Sequence, residues 1–174
     1  MTRKIKILSL VLMVLLLATG CWDRVEINDR LFVLAEGIDI YDPITSSITE
    51  EKKPKKDEKN RYHFTYLFPS FSAIKEGNPA GKSANIVYES VGKSSYQGTR
   101  HLSERTNSQP YFQHMKAVVF GKDVVKNPDY LLEQLDAMER QDEISRKLHI
   151  YVAKDKAEDV LKAGLSTTNL GLAL

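Results

Sequence analysis

Cys21 is the only cysteine in the chain, and it stands directly after Ala18, Thr19 and Gly20 at the end of an apolar run from Ile7 to Leu17. Small residues before a thiol suit a lipoprotein signal peptidase. The small side chains admit the backbone to cleavage, and the thiol is alkylated by diacylglycerol before the cut. The fit has one departure: Ala18 stands where a larger aliphatic residue is usual, with Leu17 one place earlier. Left free on an exported protein, Cys21 would be an odd, reactive thiol. Lipidation of Cys21 is therefore expected. Two acyl chains make such an anchor durable, at about 0.8 kcal/mol per buried methylene.

Other residue types that do chemistry are present without a productive pattern. His63, His101, His114 and His149 fall on separate segments, and no two share the i, i+4 spacing with which a helix presents two metal ligands. Gly77-Asn78-Pro79-Ala80-Gly81-Lys82-Ser83 has three residues between its glycines and is followed by a strand pattern. A phosphate-binding loop needs four residues there and a helix afterwards. The glycine spacing around Ser94 and Ser95 does not fit a nucleophile elbow, and the serines are better placed to start a helix. Neither catalysis nor a cofactor or metal is expected.

The elements that would position these residues begin with the export segment. Arg3, Lys4 and Lys6 precede the apolar run, which at eleven positions is short of the roughly 20 a spanning helix needs. Residues 1–20 thus read as a lipoprotein signal peptide and 21–30 as a lipid-proximal linker. Without the three basic residues of the signal, 22 basic face 23 acidic ones, a balance unlike that of a nucleic-acid-binding domain. The remaining length suits one domain, with no disulfide to support it.

Residues 31–164 read as an α+β domain. Leu31–Tyr41 is an apolar run expected to form one buried strand with a bulge or bend at Gly37. Thr49–Arg61, charged around Pro54, reads as a solvated loop. Tyr62, Phe64, Tyr66 and Phe68 alternate toward Pro69 as a half-buried strand, and Ile86–Val91 repeats the pattern. A short helix is expected over Ser95–Arg105, with Gly98 a weak point, and a central strand over Met115–Phe120. Asn127 and Pro128 open a helix with Leu131, Leu132, Leu135 and Met138 on one face. Lys147–Lys154 alternates through Leu148, Ile150 and Val152. Asp155 and Glu158 form a capping pair for a last helix through Val160 and Leu161 to Gly164. The order is β-β-β-α-β-α-β-α, with a mixed sheet partly parallel in its second half. Residues 165–174 read as a truncated tail.

Cys21-Trp22-Asp23-Arg24-Val25-Glu26-Ile27, then Gly37-Ile38-Asp39, Phe112–Lys116 running to Gly121, and Tyr151–Leu161 occur in that order behind the signal. In these segments the chain resembles the Ger(x)C family of spore germination lipoproteins, the C subunits of nutrient germinant receptors. The resemblance implies a non-catalytic subunit held by acylated Cys21 in membrane lipid on the outer face of the spore inner membrane, beside integral-membrane A and B subunits. Family members are about twice as long, so the chain is read as their N-terminal domain. Trp22 and Asp23 are candidates for membrane or partner contact; a linker role without contacts explains them equally well. Two further classes stay open: a lipid-anchored small-molecule-binding protein and a secreted hydrolase. The hydrolase would place His63, His114 or His149 beside a serine or carboxylate in a cleft.

Overall fold

The computed structural model describes residues 2–17, 30–43, 61–70 and 85–163. Cys21, Trp22 and Asp23 lie outside them, as do most of the charged Thr49–Arg61 segment, the Gly77–Ser83 stretch and the 165–174 tail. Helix α1 (Thr2–Leu17) carries the apolar run. Among the described residues no helix is long and apolar enough to cross a membrane.

Among the described residues five strands form the main sheet: β2 (Ala35–Ile40), β3 (Tyr62–Pro69), β4 (Asn85–Gly92), β6 (Ala117–Phe120) and β7 (His149–Val152). Their order is β4-β3-β2-β6-β7. Strands β4, β3 and β2 are antiparallel neighbours, whereas β6 joins β2, and β7 joins β6, in parallel. The expected mixed α+β sheet, parallel in its second half, is what forms. Strands β1 (Arg30–Phe32) and β5 (Gln109–Tyr111) make a separate parallel pair.

Three expectations for the strands need correction. The Leu31–Tyr41 run is two strands, β1 and β2, which join different sheets across Val33 and Leu34. Gly37 makes no bulge or bend, since it pairs in register with Thr65 on one side and Val119 on the other. A Cβ there would sit 2.9 Å from Leu161 Cδ1, so the glycine admits a helix close to the sheet. Strand β3 is buried on both faces, not half-buried: His63, Thr65 and Leu67 are as enclosed as Tyr62, Phe64, Tyr66 and Phe68.

Helices cover both faces. On one lie α2 (Ser95–Thr106), the short α3 (Lys122–Lys126) and α4 (Pro128–Glu139), enclosing the larger core of Ile38, Tyr62, Phe64, Tyr66, Phe68, Leu102, Val118, Phe120 and Val124. Each fully buried large apolar side chain contributes about 2 kcal/mol by leaving water. Helix α2 starts as expected, with Ser94 accepting a hydrogen bond from the Gln97 amide. Asn127 and Pro128 open α4, but the Asn127 side chain caps nothing. Leu132 is 62% exposed, and Gln134, fully buried, takes its expected place in the apolar stripe. The positions that face inward are 131, 134, 135 and 138, the spacing of one helix face. In the core Gln134 accepts at Oε1 from Ser95 Oγ at 2.6 Å, while its Nε2 has no hydrogen-bond partner among the described residues.

The opposite face carries α5 (Ala157–Ala163), packed through Ala157 and Leu161 on Ala35, Leu67, Ala117 and Val119.

Candidate functional site

Beneath α5, beside the smaller apolar cluster, the sheet also presents polar residues. Because side chains alternate along a strand, Asp39 on β2, His63 on β3 and Glu89 on β4 share this face. Glu158 and Lys162, one turn apart on α5, come down onto them. The Asp39 carboxylate accepts hydrogen bonds from the amides of Ala157 and Glu158, both at 2.9 Å. It thereby satisfies donors that every helix start leaves open. Burial raises the Asp39 pKa, against the lowering effect of those two amides. Gly121 makes room for this carboxylate: a Cβ there would lie 2.0 Å from Asp39 Oδ1.

His63 sits between two carboxylates, its Nδ1 3.5 Å from Glu158 Oε2 and its Nε2 3.7 Å from Glu89 Oε2. Lys162 closes the cluster, with Nζ 2.6 Å from Glu89 Oε1 and paired also with Glu158. A histidine flanked by carboxylates is the raw material of acid–base chemistry, but general catalysis needs access to a substrate. Here the His63 side chain is 4% exposed and that of Glu158 8%, under a helix that the same groups hold down. The arrangement docks α5.

On the other face Glu36 is buried directly across from Tyr66. Desolvation pushes its pKa up to about 8, and the facing Tyr66 hydroxyl offsets only part of that. Burial likewise raises the Tyr66 pKa well above the usual phenol range.

The remaining histidines are apart from this cluster. His101 Nδ1 donates to the Val91 carbonyl at 2.8 Å; His114 packs near the rings of Phe32 and Tyr111; His149 is exposed beside Tyr151. Of the three histidines considered for a hydrolase, only His63 meets carboxylates among the described residues, and it does so inside the fold. The sequence signals that might have found the cluster were slight: polar residues alternating with apolar ones in β2, β3 and β4. Pairing them required the sheet order.

Comparison with known proteins places this arrangement. The model of the spore germination protein N-terminal domain matches residues 23–174. The chain belongs to that family. Among Bacillus subtilis (strain 168) proteins, this member of the spore germination family is 26% identical to spore germination protein YndF over 168 residues, covering 92% of the chain and 41% of that protein. It is 26% identical to spore germination protein KC over 93% of the chain and 37% of that protein. To spore germination protein A3 it is 22% identical over 90% of the chain and 37% of that protein. The chain thus spans about two fifths of the curated relatives it matches. No solved structure matches it significantly.

Proposed function

We propose that the chain is the N-terminal part of a membrane-anchored lipoprotein subunit of a nutrient germinant receptor, acting in spore germination through protein contacts without catalysing a reaction. The observation that carries this reading is the order of residues at the start of the family match. An export-type segment ends at Cys21, and the matched region opens two residues later at Asp23. The signal covers 1–20, the linker 21–30 and the domain 31–164. Acylated Cys21 holds the domain at the outer face of the spore inner membrane. There confinement near the bilayer raises its effective concentration toward the integral-membrane A and B subunits. Trp22 and Asp23 are the candidates for contact with the membrane, where an amphipathic indole ring is favoured at headgroup level, or with the partner subunits. A sealed cluster at His63 supports a binding role over a catalytic one.

Cys21→Ala tests the anchor. The variant loses the acyl mass shift and moves from the membrane to the soluble fraction; unchanged mass and retention would refute it. Deleting the gene should slow nutrient-triggered germination and leave receptor-independent germination intact, and an equal loss of both counts against the receptor role.

A second reading, capture of a small molecule, draws on a cleft of about 700 Å³ between α2 and α4, lined by Ser95, Tyr96, Thr99, Arg100, Phe112 and Arg140. Saturable binding of a candidate nutrient, abolished by Tyr96→Ala, would favour it.

A further inference from the structure

The two edges of the main sheet are treated differently. At the β4 edge, the amide of Arg61 donates to the Gly92 carbonyl, so in this antiparallel pair Glu89 and Val91 direct their backbone groups outward. Helix α2 covers both outward carbonyls: Arg105 donates to that of Glu89 and His101 to that of Val91. At the β7 edge, the amides of His149 and Ala153 donate to Lys116 and Phe120, so His149, Tyr151 and Ala153 face β6. Ile150 and Val152 therefore turn their N–H and C=O groups to the open side. Among the described residues nothing pairs with them. Their side chains are also 54% and 60% exposed, against the alternation that would have buried them. Beside them runs a groove of about 410 Å³ whose walls include the apolar Leu135, Met138, Ile144 and Leu148 and the acidic Glu139 and Asp142.

An open edge with apolar side chains invites pairing, and proteins that avoid it use a very short strand, edge lysines, proline, a bulge or a cover. Strand β7 is short, at four residues, but among the described residues it has no proline, bulge or cover. Cations flank it instead: Arg146 and Lys147 before, Lys154 and Lys156 after, all exposed, with Asp155 the one anion among them. A second copy fits poorly at the strand ends, where each copy brings four cations and one anion. An acidic strand fits both the charge and the backbone.

We propose that the free edge of β7 receives an extended strand of another protein, apolar at alternate residues and acidic at its ends. Main-chain hydrogen bonds to Ile150 and Val152 supply the pairing, their side chains and the adjoining groove take the apolar residues, and the basic flanks select the acidic ends. This inference is independent of the proposed receptor role.

The probe is a labelled peptide, Glu-Glu-Val-Thr-Val-Thr-Val-Glu-Glu, titrated onto the full 174-residue chain in detergent and followed by fluorescence anisotropy. Its counterpart carries lysines in place of the glutamates. The acidic peptide should bind saturably, at least tenfold more tightly than the basic one, and slow hydrogen exchange at the Ile150 and Val152 amides. Val152→Pro removes an outward N–H that the fold does not use, and should weaken binding at least tenfold with an unchanged melting curve. If that variant melts early, the double variant Lys147→Glu, Lys154→Glu decides instead, and it should reverse the preference between the peptides. Equal affinity for both peptides, or no saturable binding, overturns the proposal and leaves the lysines only the task of keeping the edge single. A concentration-dependent dimer abolished by Val152→Pro overturns it too, in favour of a second copy.

Discussion

Asp39 shows how much one side chain can settle. It is separated by 118 residues from the Ala157 amide it caps, and the two hydrogen bonds it accepts there replace the local cap expected from Asp155 and Glu158. Asp155 uses its carbonyl to accept from the Lys122 amide, and Glu158 turns to His63 and Lys162. Losing a helix cap costs about 1 to 2 kcal/mol, and leaving buried amides unpaired adds about 1 to 3 kcal/mol. Asp39→Ala should therefore lower unfolding free energy by about 2 to 5 kcal/mol in urea titration, and should raise exchange at the Ala157 and Glu158 amides before the rest of the chain opens. Loss of stability without that local exchange would refute the cap. Glu36 gives a second prediction, for pH. Its folded pKa of about 8 lies above the ordinary value of 4.5, so between those values the unfolded chain has released a proton that the folded chain keeps. Its contribution to stability is full below 4.5 and is lost as pH rises toward 8. Glu36→Gln should flatten that slope and stabilise the protein near pH 8 by a few kcal/mol, order of magnitude; parallel pH profiles for the two proteins would disprove it.

At the scale of elements, close contacts explain residues that propensity would reject. Gly98 weakens α2 as an isolated helix by about 1 kcal/mol relative to alanine, yet a Cβ there would meet the Phe64 ring at 2.4 Å. The glycine lets α2 lie on β3. Ser90 Oγ donates to the Gly98 carbonyl at 2.8 Å and fixes the same contact. Gly98→Ala should raise the helix propensity of the isolated segment but destabilise the domain by about 1 to 3 kcal/mol through overpacking, read as a lower Tm. A higher Tm would show that Phe64 moves aside without cost. Helix α4 is held from outside as well, where Glu133 accepts from Arg61 at 2.6 Å and from Tyr62 at 2.8 Å.

For the whole molecule, the sheet order β4-β3-β2-β6-β7 puts β2 between an antiparallel and a parallel neighbour, and thereby gathers Asp39, His63 and Glu89 under α5. Most elements were legible in the sequence because each rests on local signals: alternation in β3 and β4, Ser94 before α2, Pro128 at the start of α4, and the continuous apolar run of β6. The family was legible too, from residues following Cys21 in a fixed order. The polar cluster was not, since Asp39, His63, Glu89 and Glu158 are far apart in the chain and each looks like an ordinary surface residue in its own segment. Nor was the burial of Gln134 in place of Leu132, which depends on where Ser95 arrives. Alternation in β7 pointed to a buried face at Ile150 and Val152, but burial is set by neighbours, and the sheet ends there. By itself, then, the sequence determined which segments become strands and helices, because hydrophobic period and capping act within a few residues. Tertiary structure alone decided which polar groups meet, which helix start is capped from a distant strand and which sheet edge stays open, because those outcomes depend on contacts between segments that no local pattern encodes.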